Sequence, residues 1–194
     1  MKVSIIKYNA GNIQSVLFAL QRIGVDAIVT DDKDEILTSD KIIFPGVGEA
    51  SSAMNYLKEK KMDTLIRDLQ QPVLGICLGM QLMCRYSEEN NTECLGIFDL
   101  KVKHFLKIDL KIPQIGWNSI SKLKSSIFKD VAENEYMYFV HSYYVEKCAE
   151  TVAQTSYGIE YSSAIQKNNF IAVQFHPEKS GKLGQRILEN FLKL

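Results

Sequence analysis

Cys77 lies in the stretch VLGICLGMQ, residues 73–81, with a glycine two positions before it and another two positions after. An apolar run leads in and helix-forming residues lead out. That is the pattern of a strand turning sharply into a helix with a nucleophile at the corner, here cysteine in place of serine. Such a corner holds its residue in a strained backbone conformation with positive φ. Glycines on either side keep neighbouring side chains from colliding there. The helix N-terminus turns free N–H groups and partial positive charge toward the sulfur, which favours thiolate. G-x-C-x-G is short, and the same residues also suit a buried cysteine in a tightly packed strand-to-helix turn.

A second group of reactive residues stands in VQFHPEKS, residues 173–180. His176 and Glu178 are two positions apart at the end of an apolar strand, and in an extended chain residues i and i+2 point to one side. The imidazole can then act as base toward a thiol while the carboxylate holds and polarises it. Pro177 between them ends the strand, since it has no N–H for a ladder. His104 and His141 have no such neighbours and read as polar strand ends. The third group is FPGVG, residues 44–48. A glycine-rich loop after a neighbouring strand can aim backbone N–H groups at an oxyanion, or it can be a turn that merely needs glycine.

These groups must be positioned by the elements around them. Val3 to Tyr8 reads as a buried strand, NAGN as a turn, and Asn12 as a helix cap. Ile13, Val16, Leu17, Leu20 and Ile23 recur at helical spacing, and Gly24 ends that helix. DAIVT is a second strand and Lys41 to Phe44 a third. Ser51 or Ser52 opens the next helix, and Val73 to Ile76 forms a fourth strand after Pro72. The alternation predicts an α/β fold, a mostly parallel central sheet flanked by helices with a flavodoxin-like core. Its glycine-marked turns, 45–48 and 75–79, sit at strand C-termini, where open α/β sheets bind ligands. Short β segments follow: Leu100–Phe105, Trp117–Leu123, Tyr136–Val145, Val152–Ser156, Ser163–Gln166 and Phe170–Gln174. They predict additional antiparallel strands. A helix from Leu183 to Leu192 closes the chain. With no low-complexity linker or internal repeat, residues 1–194 read as a single domain.

Bulk composition narrows the function classes. Lys+Arg and Asp+Glu both number 23, which argues against a dedicated nucleic-acid binder. No apolar run approaches the length of a membrane span, and MKVSIIKYNAGN lacks the apolar core and cleavage site of a secretory signal. None of the four cysteines has C-x-x-C spacing, so a reducing, cytoplasmic setting is expected, with Cys84, Cys94 and Cys148 as packing residues.

Together and in this order, PGVG, GICLGMQ, PQIGWN (113–118), YFVHSYY (138–144) and QFHPEKS (174–180) resemble the class I, triad-type glutamine amidotransferases over nearly the whole chain. Within that family PGVG and PQIGWN resemble the glutaminase subunits of imidazole glycerol phosphate synthases. They tell against the subunits that serve anthranilate, aminodeoxychorismate or guanylate synthesis. The resemblance implies Cys77 as nucleophile, His176 as acid and base, and Glu178 as its orienting partner. It implies Leu78 and the Gly46, Val47, Gly48 loop as oxyanion donors, and Gln81, Ser142 and Tyr143 as contacts to L-glutamine. It places Asn12, Trp117, Tyr138 and Lys179 at the face that docks a (β/α)8-barrel cyclase in a heterodimer for histidine biosynthesis. Ammonia would pass through a tunnel to that partner, and neither metal nor organic cofactor is called for. Many relatives read D-Y-G-x-G-N near the start. Here the run is Lys7-Tyr8-Asn9-Ala10-Gly11-Asn12, and Asn9 is expected to take the left-handed geometry of the missing glycine. A stand-alone Cys–His hydrolase and a catalytically dead regulatory subunit are the competing readings. GMQ and HPEKS tell against the first, and the intact Cys77, His176 and Glu178 tell against the second.

Overall fold

The structure, a computed structural model, describes residues 1–9, 11–106 and 110–194. Four short strands, β1 (Val3–Ile6), β2 (Ala27–Thr30), β3 (Lys41–Phe44) and β4 (Val73–Ile76), alternate with helices α1 (Ile13–Arg22), α2 (Lys33–Leu37), α3 (Ala50–Glu59) and α4 (Met62–Asp68). Helix α5 (Leu78–Met83) springs directly from β4. The later strands are β5 (Cys84–Ser87), β6 (Thr92–Glu93), β7 (Phe98–His104), β8 (Gln114–Ser119), β9 (Tyr136–His141), β10 (Tyr143–Val145), β11 (Thr151–Tyr157), β12 (Ile159–Lys167) and β13 (Phe170–Val173). Helix α6 (Gly181–Leu192) follows.

Strands β2, β1, β3, β4 and β13 lie side by side and all parallel. This is the 2-1-3-4-5 order of a flavodoxin-like sheet, with β13 as its fifth member. Beyond β13 the sheet continues as β12, β10, β7, β5 and β6, with β11 also paired to β12. Most of these added pairings are antiparallel; β5 and β7 are parallel. Strands β8 and β9 form a separate antiparallel ribbon.

Period-two alternation divides the core between the sheet's faces. Ile43, Leu74, Ile76, Ile171 and Val173 pack with Val16 and Leu20 of α1 and with Ile187, Leu188 and Phe191 of α6. Ile42, Phe44, Val73, Phe170 and Ala172 pack on the other side with Met54 and Leu57 of α3, Ile66 of α4, and Leu78 and Leu82 of α5. Fully burying side chains of this size stabilises by about 1.5–3 kcal/mol each, so helices on both faces follow from strands that are apolar on both faces.

Several boundaries differ from the sequence expectation. Asn12 does not cap α1: it is left-handed, φ 72°, and makes no side-chain cap bond. Asn9 is not left-handed, and its amide donates to the Ser52 carbonyl instead; Ala10 lies outside the described residues. Helix α3 begins at Ala50 behind Glu49, not at Ser51 or Ser52, and the Ala50 N–H is taken by Glu89 Oε2 at 2.7 Å. The expected strand Trp117–Leu123 is shifted to Gln114–Ser119, because the Lys122 and Leu123 N–H groups turn onto the Glu133 carboxylate at 2.6 and 2.9 Å. The expected strand Tyr136–Val145 breaks at Ser142, where the chain leaves the ribbon and joins the main sheet through Phe105 N–H to Ser142 C=O, 3.0 Å. No described helix is long and apolar enough to cross a membrane.

That break buries His141 at the end of β9. Its Nδ1–H donates to the Tyr143 carbonyl at 2.7 Å, Nε2 lies 3.2 Å from the Tyr161 hydroxyl, and Phe105, Phe139 and Tyr161 surround the ring. Burial pushes the imidazole from 6.5 down to about 4; the Tyr143 carbonyl opposes this and His176 adds to it. The unfolded chain therefore takes up a proton near pH 6.5 that the folded chain refuses until about 4. Stability is full above 6.5 and falls as pH drops toward 4. Urea midpoints measured from pH 7 to pH 4 should show this loss, roughly 2–4 kcal/mol from the single site, and His141→Gln should flatten that part of the curve relative to the parent.

Candidate active site

Cys77 occupies the corner between β4 and α5 with φ 53° and ψ −106°, a strained position for a residue with a side chain. Its N–H continues the β13 pairing to the Val173 carbonyl at 2.8 Å, and its carbonyl accepts the first bond of α5 from Gln81 N–H at 3.2 Å. The flanking glycines serve the close approach of neighbouring elements. A Cβ on Gly79 would stand 1.9 Å from the Phe44 carbonyl oxygen, and one on Gly75 would meet Met83 Sδ at 2.9 Å and Ala172 Cβ at 3.2 Å. Helix α5 is thus seated against β3, and β4 against β13, more closely than any side chain allows.

His176 follows β13 and is fully buried. It meets Glu178 by a route that strand alternation did not foresee. β13 ends at Val173, and Pro177–Lys179 form a 3-10 turn closed by Lys179 N–H to the His176 carbonyl, 3.0 Å. Pro177, with its fixed φ, starts that turn, and the turn folds Glu178 back onto the ring. Glu178 Oε1 accepts from His176 Nδ1–H at 2.7 Å. Asn12 Nδ2 donates to the same oxygen and lies 3.4 Å from Nδ1. With Nδ1 committed, Nε2 makes no hydrogen bond among the described residues, to Cys77 Sγ included, although the sulfur is near enough to act on the ring. Burial alone would push this imidazole down. The Cys77 sulfur on one side and the Glu178 carboxylate on the other outweigh it and hold the ring up to about 10.

The loop after β3 lies beside the sulfur, and its successive carbonyls are each held. The Tyr8 hydroxyl donates to Pro45 O at 2.5 Å, Leu78 N–H to Gly46 O at 3.2 Å, and Gly11 N–H to Val47 O at 3.1 Å. Gly46 is pressed so close to Tyr8 that a Cβ would stand 2.2 Å from the hydroxyl, and Gly48 takes φ 135°. In this arrangement the Gly46 carbonyl covers the Leu78 N–H, so the loop turns an acceptor rather than a donor toward the start of α5.

Over Cys77 opens a cleft of about 260 Å³, bordered by Val47, Gly48, Leu78, Gln81, Ser142 and Tyr143, with Glu89 at its rim. The sequence-predicted residues Cys77, Gln81, Ser142, Tyr143, Leu78 and the 46–48 loop therefore converge on one space. Gln81 donates through Nε2 to Gln174 Oε1 at 3.0 Å and to the Tyr143 carbonyl at 3.3 Å. Trp117 and Tyr138 lie apart from the cleft, paired across the β8–β9 ribbon with rings 5.9 Å apart. Trp117, Ile115 and Tyr136 expose more than half of their surface there. The ribbon is bonded to the His176 turn by His176 N–H to Tyr138 C=O, 2.9 Å, and Tyr138 N–H to Ser180 Oγ, 3.0 Å. Lys179 projects from that turn into solvent.

Three site residues escaped the sequence reading. Glu89 sits in the polar run SEENNT, indistinguishable in sequence from a solvated loop. Tyr8 looked like the end of a strand. Gln174 carries a visible signal, a polar residue inside the apolar run that leads to His176, but strand periodicity assigns it no role.

The family description "Glutamine amidotransferase class-I" matches residues 5–194. The imidazole glycerol phosphate synthase subunit HisH of Bacteroides fragilis is 59% identical over 196 residues, covering 100% of both chains. The subunit of the same name from Bacteroides thetaiotaomicron is 56% identical, again over 100% of both chains. A solved glutamine amidotransferase at 16% identity superposes with a TM-score of 0.77, covering 100% of this chain and 98% of its own, which supports the fold. The chain belongs to the class-I glutamine amidotransferase family, in the branch of the imidazole glycerol phosphate synthase HisH subunits.

Proposed function

We propose that this chain is the glutaminase subunit of an imidazole glycerol phosphate synthase, releasing ammonia from L-glutamine for a partner enzyme of histidine biosynthesis in the cytoplasm. The observation that carries the chemistry is the buried row Glu178–His176–Cys77 on the floor of an open cleft. Glutamine enters with its side-chain amide over the sulfur. Its α-ammonium finds a carboxylate in Glu89, and Gln81 Oε1, which accepts no hydrogen bond among the described residues, offers a further acceptor. The Cys77 thiolate attacks the amide carbon, forming a C–S bond and an oxyanion. The His176 imidazolium gives its Nε2 proton to the departing nitrogen, the C–N bond breaks, and ammonia leaves a glutamyl thioester. Water then gives a proton to His176 Nε2 as it attacks, and glutamate departs with the thiolate restored.

The oxyanion needs donors, and each is typically worth about 3–4 kcal/mol. Leu78 N–H is one, once freed. Rotation of the Gly46–Val47 peptide would withdraw the Gly46 carbonyl from it and swing the Val47 N–H inward as the second. Flanking glycines make that rotation inexpensive. The arrangement described above is then the resting state, and the partner shifts the population toward the open one. The docking surface is the exposed face of the β8–β9 ribbon with Trp117 and Tyr138, together with Lys179 and Asn12, because those groups are bonded to the His176 turn or to Glu178 itself. A (β/α)8-barrel cyclase occupies it in a heterodimer, and ammonia crosses between the subunits without reaching bulk water.

In the reconstituted complex Cys77→Ala should abolish glutamine-dependent synthesis while synthesis from added ammonium salt persists; equal loss of both would contradict the division of labour. The chain alone should hydrolyse glutamine slowly, and addition of the cyclase with its nucleotide ligand should raise kcat by roughly two orders of magnitude or more, the worth of a restored oxyanion donor. High activity of the free chain, unchanged by partner, counts against the resting-loop assignment. Affinity capture should recover the cyclase, and Trp117→Ala should weaken that complex by about 2 kcal/mol or more, as central aromatic anchors do.

A further inference from the structure

Cys77 Sγ has a neighbour that the mechanism above does not use. Gln174, immediately after β13 and fully buried, places Nε2 3.6 Å from the sulfur. The orientation of this amide follows from a chain of contacts that begins at an unambiguous acceptor. The Tyr143 carbonyl can only accept, so Gln81 must present its NH2 group to it. The same NH2 group then donates to Gln174 at 3.0 Å, which makes the facing atom of Gln174 its oxygen and turns its NH2 toward Cys77. The backbone cannot easily reorient it, since the Gln174 N–H is bonded to the Ser163 carbonyl at 2.9 Å. Among the described residues the sulfur's other hydrogen-bond neighbour is the Val140 carbonyl at 3.7 Å, which suits a thiol donor and offers nothing to a thiolate.

We infer that Gln174 is a further catalytic residue, whose side-chain N–H donates to the Cys77 thiolate and whose carbonyl ties the nucleophile to the substrate-binding Gln81. A buried anion needs donors on more than one side. In the proposed mechanism His176 supplies one when its Nε2 proton turns to the sulfur, and it moves that proton away during the reaction. Gln174 supplies a donor that cannot be titrated, so the sulfur keeps one partner both when it attacks and when it is expelled from the thioester. This role rests on Cys77 being the nucleophile proposed above.

The test is the rate of alkylation of the full chain by iodoacetamide between pH 5 and 9, with peptide mapping to score Cys77 apart from the other three thiols. Gln174→Met keeps the volume and removes the donor. Its rate midpoint should move up by about one pH unit, a roughly tenfold slower reaction on the acid side of the midpoint. Gln174→Glu keeps the shape and sets a carboxylate beside the sulfur; its midpoint should move up further. The shift in Gln174→Met carries the test, because a carboxylate at 174 raises a neighbouring thiol whatever the parent amide does; Gln174→Leu, which also lacks the donor, repeats it should the Met variant fail to fold. A parental midpoint in the folded Met or Leu variant overturns this inference alone. Absence of Cys77 labelling in the parent overturns the nucleophile assignment, and this inference with it.

Discussion

The whole site depends on one steric constraint, the seating of Gly79 against the Phe44 carbonyl. Since a Cβ would stand 1.9 Å from that oxygen, no other residue allows α5 to start where it does. Because it starts there, Leu78 N–H comes within 3.2 Å of the Gly46 carbonyl, and the loop after β3 lies beside the cysteine. Gly75 does the same work on the opposite side, letting Met83 fold under β4 and Ala172 of β13 draw close. The cysteine, the loop and the histidine strand are thus gathered by contacts between backbones, which leaves the side chains free for chemistry.

Those side chains form a row that is almost wholly buried beneath the cleft. An isolated buried charge is costly, and a buried pair is worth keeping only when its remaining lone pairs and protons are met. Here that condition is met at one carboxylate oxygen, while Glu178 Oε2 and His176 Nε2 make no hydrogen bond among the described residues. Glu178 Oε1 receives both His176 and Asn12. His176 lies between the sulfur and the carboxylate, which together keep it protonated against burial. His141 has the opposite fate: similarly buried, but facing a carbonyl and a hydroxyl instead of anions, it is held neutral. Two histidines a few residues from one cleft therefore differ in charge because of what faces them, and only one is fit to carry a proton to a leaving group.

Much of this was legible in the sequence, and the failures share a cause. The parallel half of the fold followed from alternating apolar strands and helices, with β3 and β4 at their expected bounds, because both periodicities are local. Cys77, His176 and Glu178 were legible because each sits at a strand end marked by glycine or proline. Features set by a distant partner were not. Asn12 was expected to cap the helix beside it, yet its amide goes to Glu178, more than 160 positions away. Strand β8 stops early because a carboxylate at 133 captures the N–H groups of Lys122 and Leu123. Glu89 reaches the cleft only because its polar loop folds over α3, and nothing in SEENNT announces that. Even the pairing of His176 with Glu178, anticipated in outcome, arises from a turn after Pro177 and not from strand alternation.

On the proposed reading, a formed triad beside a covered oxyanion site is energetically coherent. One backbone hydrogen bond contributes about 0.5–1.5 kcal/mol net, so the bond from Leu78 N–H to Gly46 is a light latch. Losing one oxyanion donor costs about 2.7–4 kcal/mol in the transition state, or roughly 100- to 1000-fold in rate. Turnover through the open loop is reduced by no more than the free energy that favours the covered one, so a hundredfold suppression needs about 2.7 kcal/mol of preference, which the bonds of Leu78, Gly11 and Tyr8 to the loop supply together. The groups that hold this loop, Tyr8 at Pro45 and Gly11 at Val47, belong to the same N-terminal turn that sends Asn12 to Glu178. A surface that presses on this turn acts on the loop and on the orienting carboxylate together. On the proposed reading that is how a partner which touches neither Cys77 nor the substrate governs when ammonia is made.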